Sequence, residues 1–442
     1  MNIRQWIEPT FTQGGFGLEE ENQRVTPEGF LAQTDHPFGD DPVLDRDFCE
    51  SQLEIITGVH HNPRELVKAL GDKRREVARF LAGQNTPELL WPFSNPPCLR
   101  SEKDIRIAQF VGEKAEKTVY RNYLAGKYGR KKQSLCGIHF NFSYPQAFLD
   151  CLREEGVSAD QIYLNLAEKL LAYSWLIVAL TAASPLMDAS FKGGKPGEIL
   201  AGIYSSYRCS DRGYWNEFEP VLDFDAIPNY LDSMNYYVET GKLYSAAELY
   251  YPVRLKPKGT NALDKLREGV NHIELRMLDV NPLRDEGIDP SDLEFLTLLL
   301  LYLTARPKMD LSVMRQRRAM RNMKQAASYP LEKVSLFWTD GQMHPLPELA
   351  LEILADMENV LGAHEAISRQ IDKIKDPDRR YASQILDRYG EDYIGGGLAR
   401  ARELAGISEG YLRQKGRKQQ KAGKKPKRQI KSEIKGCGCV RK

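Results

Sequence analysis

Four short polar runs constrain this chain more than anything else in it: GLEEENQRV (17–25), DRDFCESQLEIIT (45–57), CGIHFNFSYP (136–145) and HIELRMLDVNPL (272–283). Each puts carboxylates or an imidazole into a segment with the alternation of a half-buried strand. Strand periodicity places Glu19, Glu21 and Gln23 on one side of the first run. It sets His139, Asn141 and Ser143 against Ile138, Phe140 and Phe142, and His272, Glu274 and Arg276 against Ile273, Leu275 and Met277. Carboxylates on an outer face are simply solvated. Carboxylates sharing a cavity repel one another and call for a hard cation.

The rest of the chain is consistent with an ordinary folded protein. Its 442 residues suffice for one large domain or two smaller ones, and 42% hydrophobic with 28% charged residues excludes wholesale disorder. The net charge of +1 conceals an asymmetry: residues 411–442 carry thirteen Lys/Arg against Glu433 alone, leaving the body at −11. We expect a body over 1–410 and a basic tail over 411–442 that is disordered or loosely helical. The N-terminus lacks the basic start and apolar run of a secretory signal. The apolar stretches 170–183 and 296–305 are too short and interrupted to span a bilayer, and read as buried helices. Seven widely spaced cysteines suit a reducing compartment. A cytoplasmic protein without membrane association is expected. Cys437-Gly438-Cys439 is too tight a spacing for a zinc knuckle and reads as a pair of reduced thiols.

Local signals divide the body. Residues 1–60 read as strand-rich, with turns at Gly14-Gly15, 27–29 and 39–42. Asn62-Pro63 opens a helix with apolar residues at helical spacing to Leu81, and residues 103–128 read as a helix ending near Gly129. Residues 158–183 form a long apolar helix stopped by Ser184-Pro185. Residues 190–260, rich in Gly, Pro and Tyr, read as loops folded over something. A strand over 271–279 follows, then helices over 290–375 with Ser291 as a cap, and Gly395-Gly396-Gly397 marks a break.

No Walker A loop is present, since Gly193-Gly194-Lys195-Pro196 has the wrong spacing and no following Ser or Thr, and no dinucleotide fingerprint follows a strand. Any phosphate must be held through metal ions and arginine. Glu19, Glu21, Asp47, Glu50, Glu54 and Glu274 are oxygen donors suited to Mg²⁺. Arg208, Arg254 and Arg276 can anchor carboxylate or phosphate. Singly, each has a plainer reading as a solvated strand residue or a surface ion pair; the ensemble carries the weight.

Those runs, together with LLWPFSNPP (89–97), VYRNYLAGKYG (119–129), TAASPLMD (181–188), SYRCSDRGY (206–214) and ELYYPVRLK (248–256), resemble in order and spacing the bacterial type of glutamate–cysteine ligase. The likeness covers about residues 15–285. It implies an α/β (α+β) fold of the glutamine synthetase kind: a curved, largely antiparallel sheet forming a funnel, with helices packed behind it. It implies ATP-dependent joining of the glutamate γ-carboxylate to the amine of cysteine, with ATP as co-substrate and Mg²⁺, or Mn²⁺ in its place, as metal. Under it, Glu19, Glu21, Asp47, Glu54, His139 and Glu274 form the metal shell. Arg208 anchors glutamate, Arg276 stabilises phosphoryl transfer, and Arg254 and Asn141 join Arg276 on the nucleotide. Phe48, Tyr120, Tyr214 and Tyr250 wall the cysteine pocket, with Arg121 as polar neighbour.

The sequence departs from this pattern in places. Glu20 stands where relatives carry Arg, its side chain expected to face away from the metals. Cys209 and Arg212 occupy positions often apolar and bear on the identity of the amine acceptor. The residues contain no ATP-grasp domain, so the glycine-adding step of fused relatives is not expected of them. The partners expected are small molecules (glutamate, cysteine and ATP), with no sequence-specific nucleic acid. The alternatives are the same chemistry with another acceptor amine, or salt-sensitive binding of an anionic polymer through 413–442.

Overall fold

A computed structural model describes residues 2–408 and 410–412. The basic tail beyond Leu412, with Cys437 and Cys439, lies outside the described residues. The strands, in chain order, are β1 (Gly15–Val25), β2 (Leu44–Arg46), β3 (Gln52–Ile56), β4 (Leu89–Leu90), β5 (Ile138–Ser143), β6 (Met187–Asp188), β7 (Ile199–Leu200), β8 (Val253–Pro257), β9 (Val270–Leu278), β10 (Ser335–Phe337) and β11 (Met343–Pro345). The helices are α1 (Ile7–Gln13), α2 (Pro63–Gly83), α3 (Ala115–Tyr128), α4 (Arg130–Gln133), α5 (Gln146–Glu154), α6 (Ala159–Thr181), α7 (Ile227–Glu239), α8 (Pro290–Ala305), α9 (Val313–Ala326), α10 (Leu346–Leu361), α11 (Glu365–Lys375), α12 (Tyr381–Tyr389) and α13 (Tyr393–Ala405).

One antiparallel sheet organises the body, in the order β2-β3-β1-β5-β9-β8, with β4 paired to the end of β1. Residues opposite one another in antiparallel strands share a face, so the register sorts the side chains into two surfaces. Leu18 faces Phe140, Phe140 faces Leu275 and Leu275 faces Val253, a row of buried apolar residues. The helices α2, α6 and α8 supply the layer that this row packs into. The opposite surface carries the polar alternates. α6 is long and apolar enough to cross a membrane, but 89% of its most apolar window is buried inside the protein.

The helix starts follow their caps. Asn62 Oδ1 accepts from the amides of Arg64 and Glu65 at the head of α2, and Ser158 Oγ accepts from Gln161 N at the head of α6. At α8 the cap is Asp289 rather than Ser291: Asp289 Oδ1 accepts from both the amide and the hydroxyl of Ser291, which sits inside the first turn. The segment 103–128 is α-helical only from Ala115 onward; before it come two short 3-10 turns, Glu102–Asp104 and Gly112–Lys114, flanking an extended stretch in which Ile107 bridges to Cys49. Within the expected loops of 190–260 lies the helix α7, and the expected helical region 290–375 also contains the β10–β11 hairpin.

The glycine run 395–397 does not break the chain. It forms the first turn of α13, capped by Asp392, whose Oδ1 accepts from Gly395 N. Glycine is needed there for space: a Cβ on Gly397 would overlap the indole of Trp91, and one on Gly395 would overlap the Asp392 carboxylate. Gly397→Ala is therefore expected to cost about 1–3 kcal/mol, as overpacking does, read as a lowered denaturation midpoint. A neutral or stabilising outcome would mean that α13 does not seat on Trp91.

Candidate functional site

The polar face of the sheet opens into a cavity of about 340 Å³. β1 contributes Glu19 and Glu21, β3 contributes Glu54, β5 contributes His139, β9 contributes Glu274 and Arg276, and β8 contributes Arg254 and Lys256. Pairing explains the convergence, because Glu21 lies opposite Glu54, Glu19 opposite His139, and Arg254 opposite Glu274. Asp47 and Phe48 reach the cavity from the turn between β2 and β3, so the chain bends between Asp47 and Glu54 instead of running through two helical turns. Tyr120 and Arg121 enter from α3, and Arg208, Tyr214 and Tyr250 from the loops.

Thus every residue singled out from the sequence as a site candidate lines one cavity, apart from Asn141 and Glu50. Asn141 lies next to it, donating from Nδ2 to Glu19 Oε1 at 3.0 Å and standing opposite Glu274 in the register. Glu50 serves structure: its carboxylate accepts from the amides of His36 and Gln109 and pairs with Arg46. Cys209 and Arg212 do not line the cavity. Cys209 is buried with its thiol donating to Met277 O at 3.2 Å, and the Arg212 side chain is 61% exposed. Glu20 does face the other way. It is fully buried and paired with Arg74 of α2.

The electrostatics give the cavity two unlike ends. At the β9 end, Arg276 Nη1 is 3.0 Å from Glu274 Oε1 and Lys256 Nζ is 3.3 Å from Oε2. Burial works to raise the Glu274 pKa, but Arg276, Lys256, His139 and Arg254 outweigh it and hold the carboxyl well below its usual range. At the β3 end Asp47 has Arg121 at 3.9 Å, but Glu21 and Glu54 have no Lys or Arg of the described residues at ion-pair distance. Desolvation and then the charges of Asp47, Glu19, Glu21 and Asp45 push Glu54 well above its ordinary value. Desolvation and then Asp47 push Glu21 to about 8, against the pull of Arg208 and Arg276. Burial lowers the His139 pKa, with Arg276 adding to it, so a neutral imidazole is favoured.

This donor chemistry fits a hard divalent ion. Glu19, His139 and Glu274 each offer a ligand atom within 4.8 Å of the others. His139 Nδ1 lies 3.4 Å from Glu19 Oε2 and 3.5 Å from Glu274 Oε1. Glu274 Oε2 is buried and accepts no hydrogen bond from the protein. The crowded carboxyls Glu21, Glu54 and Asp47 are a second place where positive charge is wanting.

The arginines are fixed by backbone carbonyls. Arg208 Nη2 donates to Arg276 O at 2.8 Å, and Arg254 Nη2 donates to Ala247 O at 2.8 Å and also to Leu249 O. Arg121 donates to the carbonyls of Asp47, Lys117 and Arg46. Tyr214 packs against Tyr250 at 3.8 Å between ring centroids, the rings tilted by 37°, and its hydroxyl donates to Gln133 at 2.6 Å.

A family model described as glutamate-cysteine ligase matches residues 4–326. The chain belongs to the glutamate–cysteine ligase family. It is 35% identical over 401 residues to the glutathione biosynthesis bifunctional protein GshAB of Listeria monocytogenes, covering 84% of this chain and 52% of that protein. Against the protein of the same description from Clostridium perfringens it is 31% identical over 428 residues, covering 90% and 54%. The chain thus spans about half the length of the curated relatives it matches. Among solved structures, the bifunctional glutathione synthetase of Pasteurella multocida matches with a TM-score of 0.74 at 30% identity, over 92% of this chain and 53% of that one. The Francisella tularensis glutamate–cysteine ligase, solved in complex with AMP, matches in fold with a TM-score of 0.80 at 23% identity, over 93% of both chains.

Three polar lining residues, Lys256, Lys117 and Gln133, went unread in the sequence, as did the apolar Leu124, Leu135 and Ala247. Lys256 was legible, since it follows Arg254 at the strand period in VRLK. Gln133 and Lys117 offered no signal, being ordinary polar residues of helical segments. Gly137 is a further supporting residue. It exchanges two hydrogen bonds with Glu21, its amide donating to Oε2 at 3.1 Å and its carbonyl accepting from Glu21 N at 3.0 Å. The Arg208 guanidinium lies so close over it that a Cβ there would overlap the guanidinium. Gly137→Ala is expected to unseat Arg208 and lower kcat/KM of the family's reaction by about 10²-fold, as misplacement by an ångström does, in a protein of unchanged circular dichroism. Undiminished activity would show that the seat of Arg208 is not needed.

Proposed function

We propose that this chain joins the γ-carboxylate of L-glutamate to the amine of L-cysteine at the expense of ATP, through a γ-glutamyl phosphate, in the cytoplasm. The single observation that carries the reading is the convergence of Glu19, His139 and Glu274 with Arg276 and Lys256 in one cavity, whose other wall is Arg208 and tyrosines. Membership of the family supports it.

A carboxylate does not accept an amine at neutral pH, because oxide is a poor leaving group. A phosphoryl group from ATP converts it into an acyl phosphate, whose phosphate leaves readily. Both the γ-carboxylate and the triphosphate are anions, so fixed cations must lie where they meet. Arg276 and Lys256, held by Glu274, would supply them. Mg²⁺ bound by Glu19, Glu21, Asp47, Glu54, His139 and Glu274 would neutralise phosphate charge. Arg208 would hold the α-carboxylate of glutamate, and Arg254 the nucleotide, with Asn141 keeping Glu19 in place. Phe48, Tyr120, Tyr214 and Tyr250, with Arg121, would enclose the amine acceptor and keep water from the acyl phosphate.

The test is ADP release and product mass with ATP, Mg²⁺, glutamate and each amino acid in turn. γ-Glutamylcysteine as the main product is expected, and its absence sinks the reading. A different acceptor draws no support from Cys209 and Arg212, which lie off the cavity. Glu54→Gln and Glu274→Gln are each expected to lower kcat by at least about 10²-fold, since each removes a carboxylate that would hold the metal stabilising the transferring phosphoryl group. Activity near that of the wild type in both would overturn the metal assignment.

A further inference from the structure

Glu248 does not line the cavity, yet three of the cavity's walls meet at it. Its side chain is fully buried. Oε1 accepts from Lys127 Nζ and from the Tyr128 hydroxyl, each at 2.6 Å, and Oε2 accepts from Tyr244 N at 2.5 Å. Lys127 and Tyr128 end α3, the helix that brings Tyr120 and Arg121 to the cavity. Few of its residues are otherwise anchored: only Arg121 and Leu124 of α3 are buried.

The backbone on either side of Glu248 is committed to the other two walls. The carbonyls of Ala247 and Leu249 both accept from Arg254 Nη2, which fixes Arg254 on β8. The carbonyl of Glu248 accepts from Asn216 Nδ2 at 2.8 Å, while Asn216 Oδ1 accepts from Tyr250 N at 2.8 Å. Asn216 follows Tyr214 by two residues, and the Tyr214 ring packs on Tyr250. The buried carboxylate thus ties the end of α3 to a short backbone segment whose own carbonyls hold the loop of Tyr214 and Arg254, without reaching the substrate space.

We infer that Glu248 is a positioning residue that holds the acceptor side of the cavity shut, and that its loss uncouples ATP consumption from peptide formation. The inference rests on the ligase reading above. In the coupled reaction the amine nitrogen attacks the acyl carbon of γ-glutamyl phosphate, the bond from carbon to the phosphate oxygen breaks, and phosphate departs. With the walls loosened, water attacks the same carbon. The same bond breaks, glutamate is regenerated, phosphate is released, and the proton from water goes to solvent. ATP is spent with no amide formed.

The test compares wild type with Glu248→Gln, which keeps shape but removes the charge, in full-length protein. ADP and γ-glutamyl product are measured together. The wild type is expected to give one ADP per product. Glu248→Gln is expected to give at least two, with KM for cysteine raised tenfold or more and KM for glutamate changed less than twofold. A merely structural role would lower all rates alike and leave the stoichiometry at one. Lys127→Met is expected to share the defect, and the double variant to be no worse than either alone, because the pair acts as a unit. If Glu248→Gln fails to fold, Tyr128→Phe, which removes one hydroxyl, decides: a ratio above one supports the assignment, and a ratio of one overturns it. A folded Glu248→Gln with tight coupling and an unchanged cysteine KM also overturns it. A wild type that makes no product while spending no ATP defeats the ligase reading and this inference with it.

Discussion

Charge compensation on one face of a sheet governs this molecule. Strand pairing brings Glu19, Glu21, Glu54 and Glu274 to a common cavity, and a low-dielectric wall behind them keeps water from quenching their repulsion. Two ways of meeting that cost are visible. Around Glu274 the protein supplies its own cations in Arg276, Lys256 and Arg254. Around Glu54 it supplies further acids instead, and the carboxyl is driven towards its neutral form. The first arrangement is preorganised for anions that arrive; the second is short of positive charge that must come from outside.

That division also explains why Arg208 and Arg254 are bound to carbonyls, whereas Arg276 alone of the three pairs closely with an acid of the cavity, Glu274. A guanidinium paired bidentately with a carboxylate has spent its donors. Arg208 and Arg254 instead hand one nitrogen to backbone oxygens, which orients the group while its charge stays available to the cavity. Arg121 is committed further: all three of its nitrogens donate to carbonyls, Nη2 lies 3.9 Å from Asp47 Oδ1, and the guanidinium sits against the Phe110 ring at 4.7 Å. Positioning by neutral acceptors costs less in lost field than positioning by a counter-charge.

Much of this was legible beforehand, and the reason is local. Period-two alternation is a property of the strand itself, so it separated Glu19, His139 and Glu274 from their apolar neighbours without knowledge of pairing. Capping is equally local, and Asn62 and Ser158 begin their helices as read. Register is not local. Nothing in the sequence says that Glu21 faces Glu54, or that β8 adds its cations at the edge beside β9. Close packing is not local either, which is why Gly395-Gly396-Gly397 reads as a break when it is a helical turn tight against Asp392, Tyr389 and Trp91 in succession. At α8 two adjacent capping-type residues compete, and geometry alone gives the position to Asp289. Glu248 lay inside a recognised segment, but its importance comes from partners more than a hundred residues away.

Glu20 shows the same constraint from the far side of the sheet. It sits between two cavity carboxylates in sequence, on the opposite surface, with no access to solvent. A third buried anion within one strand would add to the repulsion that Glu19 and Glu21 already bear. Arg74 of α2 cancels it in place, and α2 in turn packs on α8 and α13. Such a pair is weak evidence of net stability, since both ions were taken from water; breaking it by removing one partner is what costs, typically about 3–5 kcal/mol. Its consequence is one of location. With Glu20 neutralised from behind, the charge at the front of β1 is set by Glu19 and Glu21, the two residues whose repulsion the cavity is built to use.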